Sequence, residues 1–407
     1  MGKLPFEGIR VADFGWVITA PLGTEWLATM GAEVIKVESK AHTDVMRGGQ
    51  HGNHVPGPEP VWNRAGGYNS LNYSKYSCCL DLTKPRAREL AHELIKTSDV
   101  VIEAFTGPVV DRFELTYEWT RFLRPDIIHA SVSSLGKTGP LKDVTGFGPA
   151  NQAFASLPSM MGYQGGPPTS MGGTWPDYVM GIAVAYLTMA ALYNRQQTGQ
   201  GLYIDLSMAE AVMDMIPGQL LDYAMNGRVA SPTGNLDAMA APHNVYRCQG
   251  DDKWVAIAVQ TEAQWASFCR VVGHPEWCQD KRFVDLYQRQ KHLVELDALI
   301  TEWTRPLEAT DIMELLQAEG IPAGPSQNNL DMVNDPQLQH RGQFIEIDHP
   351  ETGKRLQMGM QGIFSAIPER RYSHSPVLDQ DNHFVFHDIL GVSEDEIERL
   401  TEEGVIY

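Results

Sequence analysis

With 407 residues, 43% of them hydrophobic and 20% charged, the chain can build two domains with separate cores and is too apolar to be disordered. A formal net charge of −19 excludes a nucleic-acid surface, since displacing condensed counterions takes clustered Lys and Arg. Five cysteines without a C-x-x-C pair argue against a disulfide framework or a metal site, and fit a reducing, cytoplasmic setting.

Met1 to Gly8 lacks a basic segment followed by an apolar run, and no later apolar stretch reads as the roughly 18 to 20 residues of a membrane span, so no membrane contact is expected. Residues 10–14 predict a strand, 22–30 a helix and 33–38 a second strand after a turn at Gly31, together a parallel βαβ unit. Glu38 ends that second strand where a dinucleotide enzyme holds its ribose. Gly15 and Gly23, however, are too far apart for G-x-G-x-x-G, which sets a nicotinamide cofactor aside. Helix and strand alternate again at 85–97 with 100–103, and at 116–122 with 127–133. A long Gly/Pro/Ser-rich loop over 134–174 then leads into a helical pattern from about 178 to 194.

That helix would turn Gly181, Val184, Ala185, Thr188, Ala191 and Leu192 inward, with Asp177 at its mouth behind Pro176. An N-cap is the local interpretation of Asp177. The same place is compatible with catalysis, because free N–H groups and the helix dipole favour an ionised carboxylate, and an ionised carboxylate is a nucleophile.

Four groups of segments, in matching order and spacing, carry a family resemblance: 8–14 (GIRVADF) with 31–38 (GAEVIKVE); 71–75 (LNYSK) with 80–82 (LDL); 99–105 (DVVIEAF) with Asp111-Arg112; and Pro176-Asp177 with 195–201 (RQQTGQG) and 205–211 (DLSMAEA). On these the chain resembles the class III CoA-transferases, the family of formyl-CoA:oxalate, carnitine and benzylsuccinate CoA-transferases. The resemblance places the family's catalytic aspartate on Asp177, which would carry an acyl anhydride and then a CoA thioester. It implies acyl-CoA and a carboxylic acid as substrates, with CoA passing through and no permanently bound cofactor. It assigns CoA contacts to the turn Val17, Ile18, Thr19 and Ala20 after the first strand, to Lys75, to Ala104 and Phe105, and to Arg112. Departures stand at Ser39 and Thr106, where members of the family carry cations.

Gly148 occupies a position where an acidic residue is common in the family, and Ile18 replaces a Gln of the oxalate enzyme. Both suggest a roomier, less polar acceptor site, lined by Phe147, Gly148, Trp175 and Met239, with Met160, Met161 and Tyr163 as further candidates. The expectation is transfer of CoA from succinyl-CoA to a hydrophobic or aromatic, benzylsuccinate-like acid. Alternatives are a carnitine-type transferase, one subunit of a heteromeric transferase, and an acyl-CoA racemase of the same fold; the racemase's histidine position holds Phe147 here. His243 and Asn244 stand where the family has a glycine-rich loop, and read as a turn into a second domain.

By the same resemblance the fold is α/β: a Rossmann-like large domain of residues 1–207 with 334–407, linkers at 208–226 and 326–333, and a small inserted α/β domain at 227–325. Two chains, identical or related, would interlock as a dimer.

Overall fold

The computed structural model describes residues 3–48, 54–367, 370 and 372–407. Hydrophobic runs such as Val100-Val101-Ile102 and Val34-Ile35, buried on both faces, make the strands of a parallel sheet. Its six strands are β1 (Arg10–Phe14), β2 (Glu33–Glu38), β3 (Tyr76–Cys79), β4 (Val100–Glu103), β5 (Ile128–Ser133) and β6 (Leu202–Ser207), in the order β3-β2-β1-β4-β5-β6. The order reverses between β1 and β4, which pair in register from Val11 with Val100 to Phe14 with Glu103. In open α/β sheets the crevice beyond the carboxyl ends of two such strands is where ligands bind.

The chain divides into two compact units. The larger comprises Met1–Pro158, Ser170–Ala230 and Gly342–Tyr407, and so draws on both chain ends; the smaller comprises Ser159–Thr169 and Ser231–Arg341. Residues 208–226, expected as a linker, form two helices of the larger unit, Met208–Met213 and Pro217–Asn226. The first is capped by Ser207, whose hydroxyl accepts from the Glu210 N–H at 3.4 Å, and it buries Met208, Ala209 and Val212. Residues 326–333 likewise include a helix, Asn329–Val333, closed by an Asn328/Asp331 capping box.

One side of the larger sheet is covered by helix Pro85–Thr97, whose Ala87, Leu90, Ala91, Leu94 and Ile95 recur at helical spacing and are buried. The other side holds α1 (Thr19–Thr29) and a 24-residue helix, Trp175–Thr198, called the long helix below. These two cross closely because each has a glycine at the contact. A Cβ on Gly23 would lie 2.6 Å from Val184 Cγ1, and one on Gly181 would lie 2.7 Å from Leu22 Cδ2. Contrary to the expectation from sequence, the long helix is apolar and long enough to cross a bilayer by length and composition. Here its inner residues Met180, Gly181, Val184, Ala185, Thr188 and Ala191 are buried in the larger unit.

The smaller unit has its own core around Trp265, Phe268, Phe283, Leu296, Ile300, Ile312 and Leu316. A three-stranded antiparallel sheet, β7 (His243–Arg247), β8 (Trp254–Ala258) and β9 (Ala323–Pro325), lies beside it. His243 and Asn244 are therefore strand residues. Asn244 Nδ2 donates to Asp297 Oδ2 at 2.8 Å, and the His243 ring meets Asn235 O at 2.7 Å.

Candidate active site

The turn after β1 (Gly15 to Ile18) and the turn after β4 (Ala104 to Thr106) form the two walls of the crevice at the strand-order reversal. On its floor is Asp177. The helix pattern suggested a start at 178, but the long helix begins at Trp175 with Thr174 as its N-cap, so Asp177 lies within the first turn rather than capping it. The residue is 7% exposed. Thr19 Oγ1, at the start of α1, donates to Asp177 Oδ1 at 3.2 Å, a contact that the Gly23–Gly181 crossing makes possible. The other oxygen, Oδ2, has no hydrogen-bond partner among the described residues.

Burial pushes the Asp177 carboxyl up to about 6, against the opposing pull of the Thr19 hydroxyl and its own N–H. A carboxyl raised in the folded state stabilises the fold fully below its ordinary value, and that contribution is lost as pH rises through about 6. Asp177→Asn removes the charge. Its melting temperature should therefore gain on the wild type between pH 4 and pH 7, with a difference worth up to about 3 kcal/mol. A gap that stays constant over this range would show that the carboxyl ionises without cost.

A cavity of about 320 Å³ opens beside Asp177, lined among others by Trp16, Val17, Thr19, Ala104, Phe105, Lys142, Phe147 and Met208. It shares Trp16, Val17, Ala104, Phe105 and Thr106 with a second cavity of about 460 Å³ that continues to His42, Leu80 to Thr83 and Arg112. Val17, Ala104, Phe105 and Arg112 are thus brought together along one path. Arg112 is exposed and makes no ion pair among the described residues. The Phe105 wall is held from below by buried Glu103, which accepts from Phe105 N at 2.7 Å, and by Lys137, which bonds both Glu103 and the Phe105 carbonyl.

Other expected contacts lie elsewhere. Ile18 is buried against Leu22 and Leu71, and Ala20 is buried in the core beneath α1, because residues at the start of that helix turn toward the sheet. Lys75, expected to face phosphate, is inside the protein: Nζ donates to Asp13 Oδ2 (3.2 Å), Pro21 O (2.8 Å) and Asn72 Oδ1 (2.8 Å), which uses its three hydrogens. Nor does Gly148 leave open room. A Cβ there would overlap the Gly173 carbonyl oxygen and sit 2.7 Å from Asp177 Oδ2. Trp175 is half-buried at the start of the long helix and is not among the cavity residues, whereas exposed Phe147 is. Met239 and Tyr163 are exposed residues of the smaller unit, to which Met160 and Met161 also belong.

Three residues take part in ways not anticipated from sequence, Thr19 having been expected only as part of the turn that contacts CoA. Thr19 holds the carboxylate, and Trp16 walls the cavity. Gln152 is fully buried and pins the loop ahead of the long helix, donating to Met171 O (3.2 Å) and Gly172 O (3.0 Å) and accepting from Met171 N (3.1 Å). Each is a common residue type in a loop or helix start, so only its neighbours in space reveal its part.

The larger recess of about 930 Å³ lies by the amino ends of β1 and β2, around Arg10, Glu33 and Asp99. Arg10 there pairs with Glu33, and Asp99 with Arg124 and Arg195. His383, His387 and Asp388 place possible metal-ligand atoms within 4.8 Å of one another, but His383 bonds Glu394 and none of the three lines the cavity at Asp177.

The model of CoA-transferase family III matches residues 6–382. A succinyl-CoA–D-citramalate CoA-transferase from Chloroflexus aurantiacus is 30% identical over 402 residues, 99% of this chain and 98% of that one. A formyl-CoA:oxalate CoA-transferase from Rhodopseudomonas palustris is 29% identical over 420 residues, 98% and 97% of the two chains. Among solved structures, a CAIB/BAIF family protein from Brucella suis superposes with a TM-score of 0.86 at 25% identity, covering 95% of this chain and 100% of that one. With a family match over nearly the whole chain behind a six-stranded parallel sheet and a buried carboxylate at its switch point, the chain belongs to CoA-transferase family III and is an enzyme acting on CoA thioesters.

Proposed function

We propose that Asp177 is the nucleophile that carries first the acyl group and then CoA. The observation that supports it is the asymmetry of the carboxylate: Oδ1 is held by Thr19, while among the described residues buried Oδ2 has no partner and no other carboxylate lines the cavity beside it. A desolvated, unpaired oxygen is a strong nucleophile once ionised. Oδ2 attacks the donor thioester carbonyl, the C–S bond breaks, and CoA leaves as thiolate from a mixed anhydride. The thiolate attacks the aspartyl carbonyl of that anhydride, freeing the donor acid and leaving an aspartyl-CoA thioester. The acceptor carboxylate repeats the sequence in reverse and departs as its CoA ester, restoring Asp177. Each step exchanges one activated acyl bond for another, so no nucleotide hydrolysis is required. The shared path from Asp177 past Trp16 and Phe105 to Leu80 to Thr83 and Arg112 suits the long CoA chain, with the unpaired guanidinium available to phosphate.

The donor in this reading is succinyl-CoA, as named for the C. aurantiacus relative. Lys142, exposed at the cavity and without an ion pair among the described residues, suits the far carboxylate of a succinyl group. The acceptor is a substituted dicarboxylate of benzylsuccinate type, its aryl group against Trp16, Phe105 and Phe147. A citramalate-type acceptor is the second reading, favoured by the same relative. Purified protein with succinyl-CoA should transfer CoA to benzylsuccinate faster than to citramalate, oxalate or carnitine; faster transfer to oxalate or carnitine would exclude both acceptors. Racemase chemistry needs a second base, and among the described residues no histidine lines this cavity. Assembly as a dimer is supported by a row of exposed apolar side chains on the long helix, Tyr178, Ile182, Tyr186, Met189 and Tyr193. Sedimentation of a single-chain species at micromolar concentration would count against it.

A further inference from the structure

The turn that carries Thr19 is held in an unfavourable shape. Val17 has φ 65°, a left-handed backbone that a β-branched residue rarely adopts and that persists only where surrounding contacts impose it. Those contacts come from four buried charged side chains below the turn. Asp13 Oδ1 accepts from Gly15 N at 2.8 Å, and its Oδ2 accepts from Thr24 Oγ1 at 2.6 Å and from Lys75 Nζ. Lys75 in turn grips Pro21 O. From the other side Lys36 Nζ donates to Gly15 O at 2.7 Å, and Asp44, 3.8 Å from Lys36, accepts from Val17 N at 3.1 Å. The backbone is therefore fixed at four points, Gly15 N, Gly15 O, Val17 N and Pro21 O, on either side of Thr19.

All four side chains are at most 2% exposed, and none lines the cavities that meet Asp177. They cannot touch substrate. A buried ion pair seldom stabilises a fold more than well-packed apolar residues of the same volume would. What apolar residues could not supply is directed hydrogen bonding to the turn's own N–H and C=O groups.

We propose that the pairs Asp13–Lys75 and Lys36–Asp44 are positioning residues, which hold the 15–21 turn so that Thr19 keeps Asp177 Oδ1 and leaves Oδ2 free. The inference rests on Asp177 being the nucleophile. Glu25 on α1 and Glu38 on β2 also face these lysines and the Asp44 carboxylate, and they remain in every variant below.

The test is the double variant Asp13→Leu/Lys75→Met, which removes both charges and leaves neither orphaned. It is assayed with succinyl-CoA beside Thr19→Val and Asp177→Ala. The expected result is a cooperative melt, kcat lower by about 10²-fold, a KM for succinyl-CoA within about threefold of wild type, and an acid limb of kcat/KM displaced to higher pH in the same direction as in Thr19→Val. A folded double variant with wild-type kcat, or with reduced kcat and an unmoved acid limb, overturns the proposal. Lys36→Met applies the same criteria from the other side of the turn and decides the matter if the double variant does not melt cooperatively. Retained activity in Asp177→Ala would instead remove the nucleophile itself, so the two failures are told apart.

Discussion

Asp177→Ala is expected to lower kcat by at least about 10⁴-fold while the protein still melts cooperatively. The size of the effect follows from the lack of a substitute. Glu103, beneath the Phe105 wall, is buried and committed to Phe105 N, Ser131 and Lys137. Asp111 is exposed on helix Gly107–Arg112 and does not line the cavity at Asp177. Asp177→Glu should recover little, because one added methylene carries the carboxylate away from Thr19 and toward the Gly148 backbone. An error near 1 Å in the attacking atom costs on the order of 10² in rate. Steady-state assays with a fixed acceptor check this, and activity within about tenfold of wild type in Asp177→Ala would contradict it.

The second large effect is expected at a glycine. A Cβ on Gly148 overlaps the Gly173 carbonyl oxygen and comes within 2.7 Å of Asp177 Oδ2. The obstacle is backbone and the reacting group itself, so Gly148→Ala must displace one or both. It should lower kcat by about 10²-fold or more and cost about 1–3 kcal/mol in stability. Gly148→Glu should do worse, since a second carboxylate beside Asp177 opposes its ionisation. Gly218→Ala is the matched control: a Cβ there meets nothing within 4 Å, and kcat should be unchanged. Wild-type turnover in Gly148→Ala would mean that the 148–173 contact is not held during catalysis.

This glycine marks where sequence reasoning misjudged the site. The missing acid at 148 suggested spare volume, but Gly173 and Asp177 fill that space. The acceptor assignment now rests on Trp16, Phe105, Phe147 and Lys142 instead. Strands β1, β2 and β4 were legible because their buried runs are bounded by turns, and Pro85 marked the start of its helix. The long helix was legible from its small inward residues, but its start was placed three residues late because Thr174 makes no side-chain cap and Pro176 sits inside the first turn. Lys75 looked like any surface cation. Its burial depends on Asp13, which lies 62 positions earlier and meets it only once β3 has joined the sheet through β2. The bond from Thr19 to Asp177 was invisible for a similar reason, since the two lie 158 positions apart and the approach depends on two glycines at a helix crossing.

The central claim is a covalent intermediate on one carboxylate. The enzyme should be incubated with succinyl-CoA in the absence of acceptor, trapped with hydroxylamine, digested and mapped by mass spectrometry. The account predicts a hydroxamate on Asp177, absent when succinyl-CoA is omitted and absent in Asp177→Asn. A hydroxamate on another residue, or none at all from an enzyme that turns over, would contradict it.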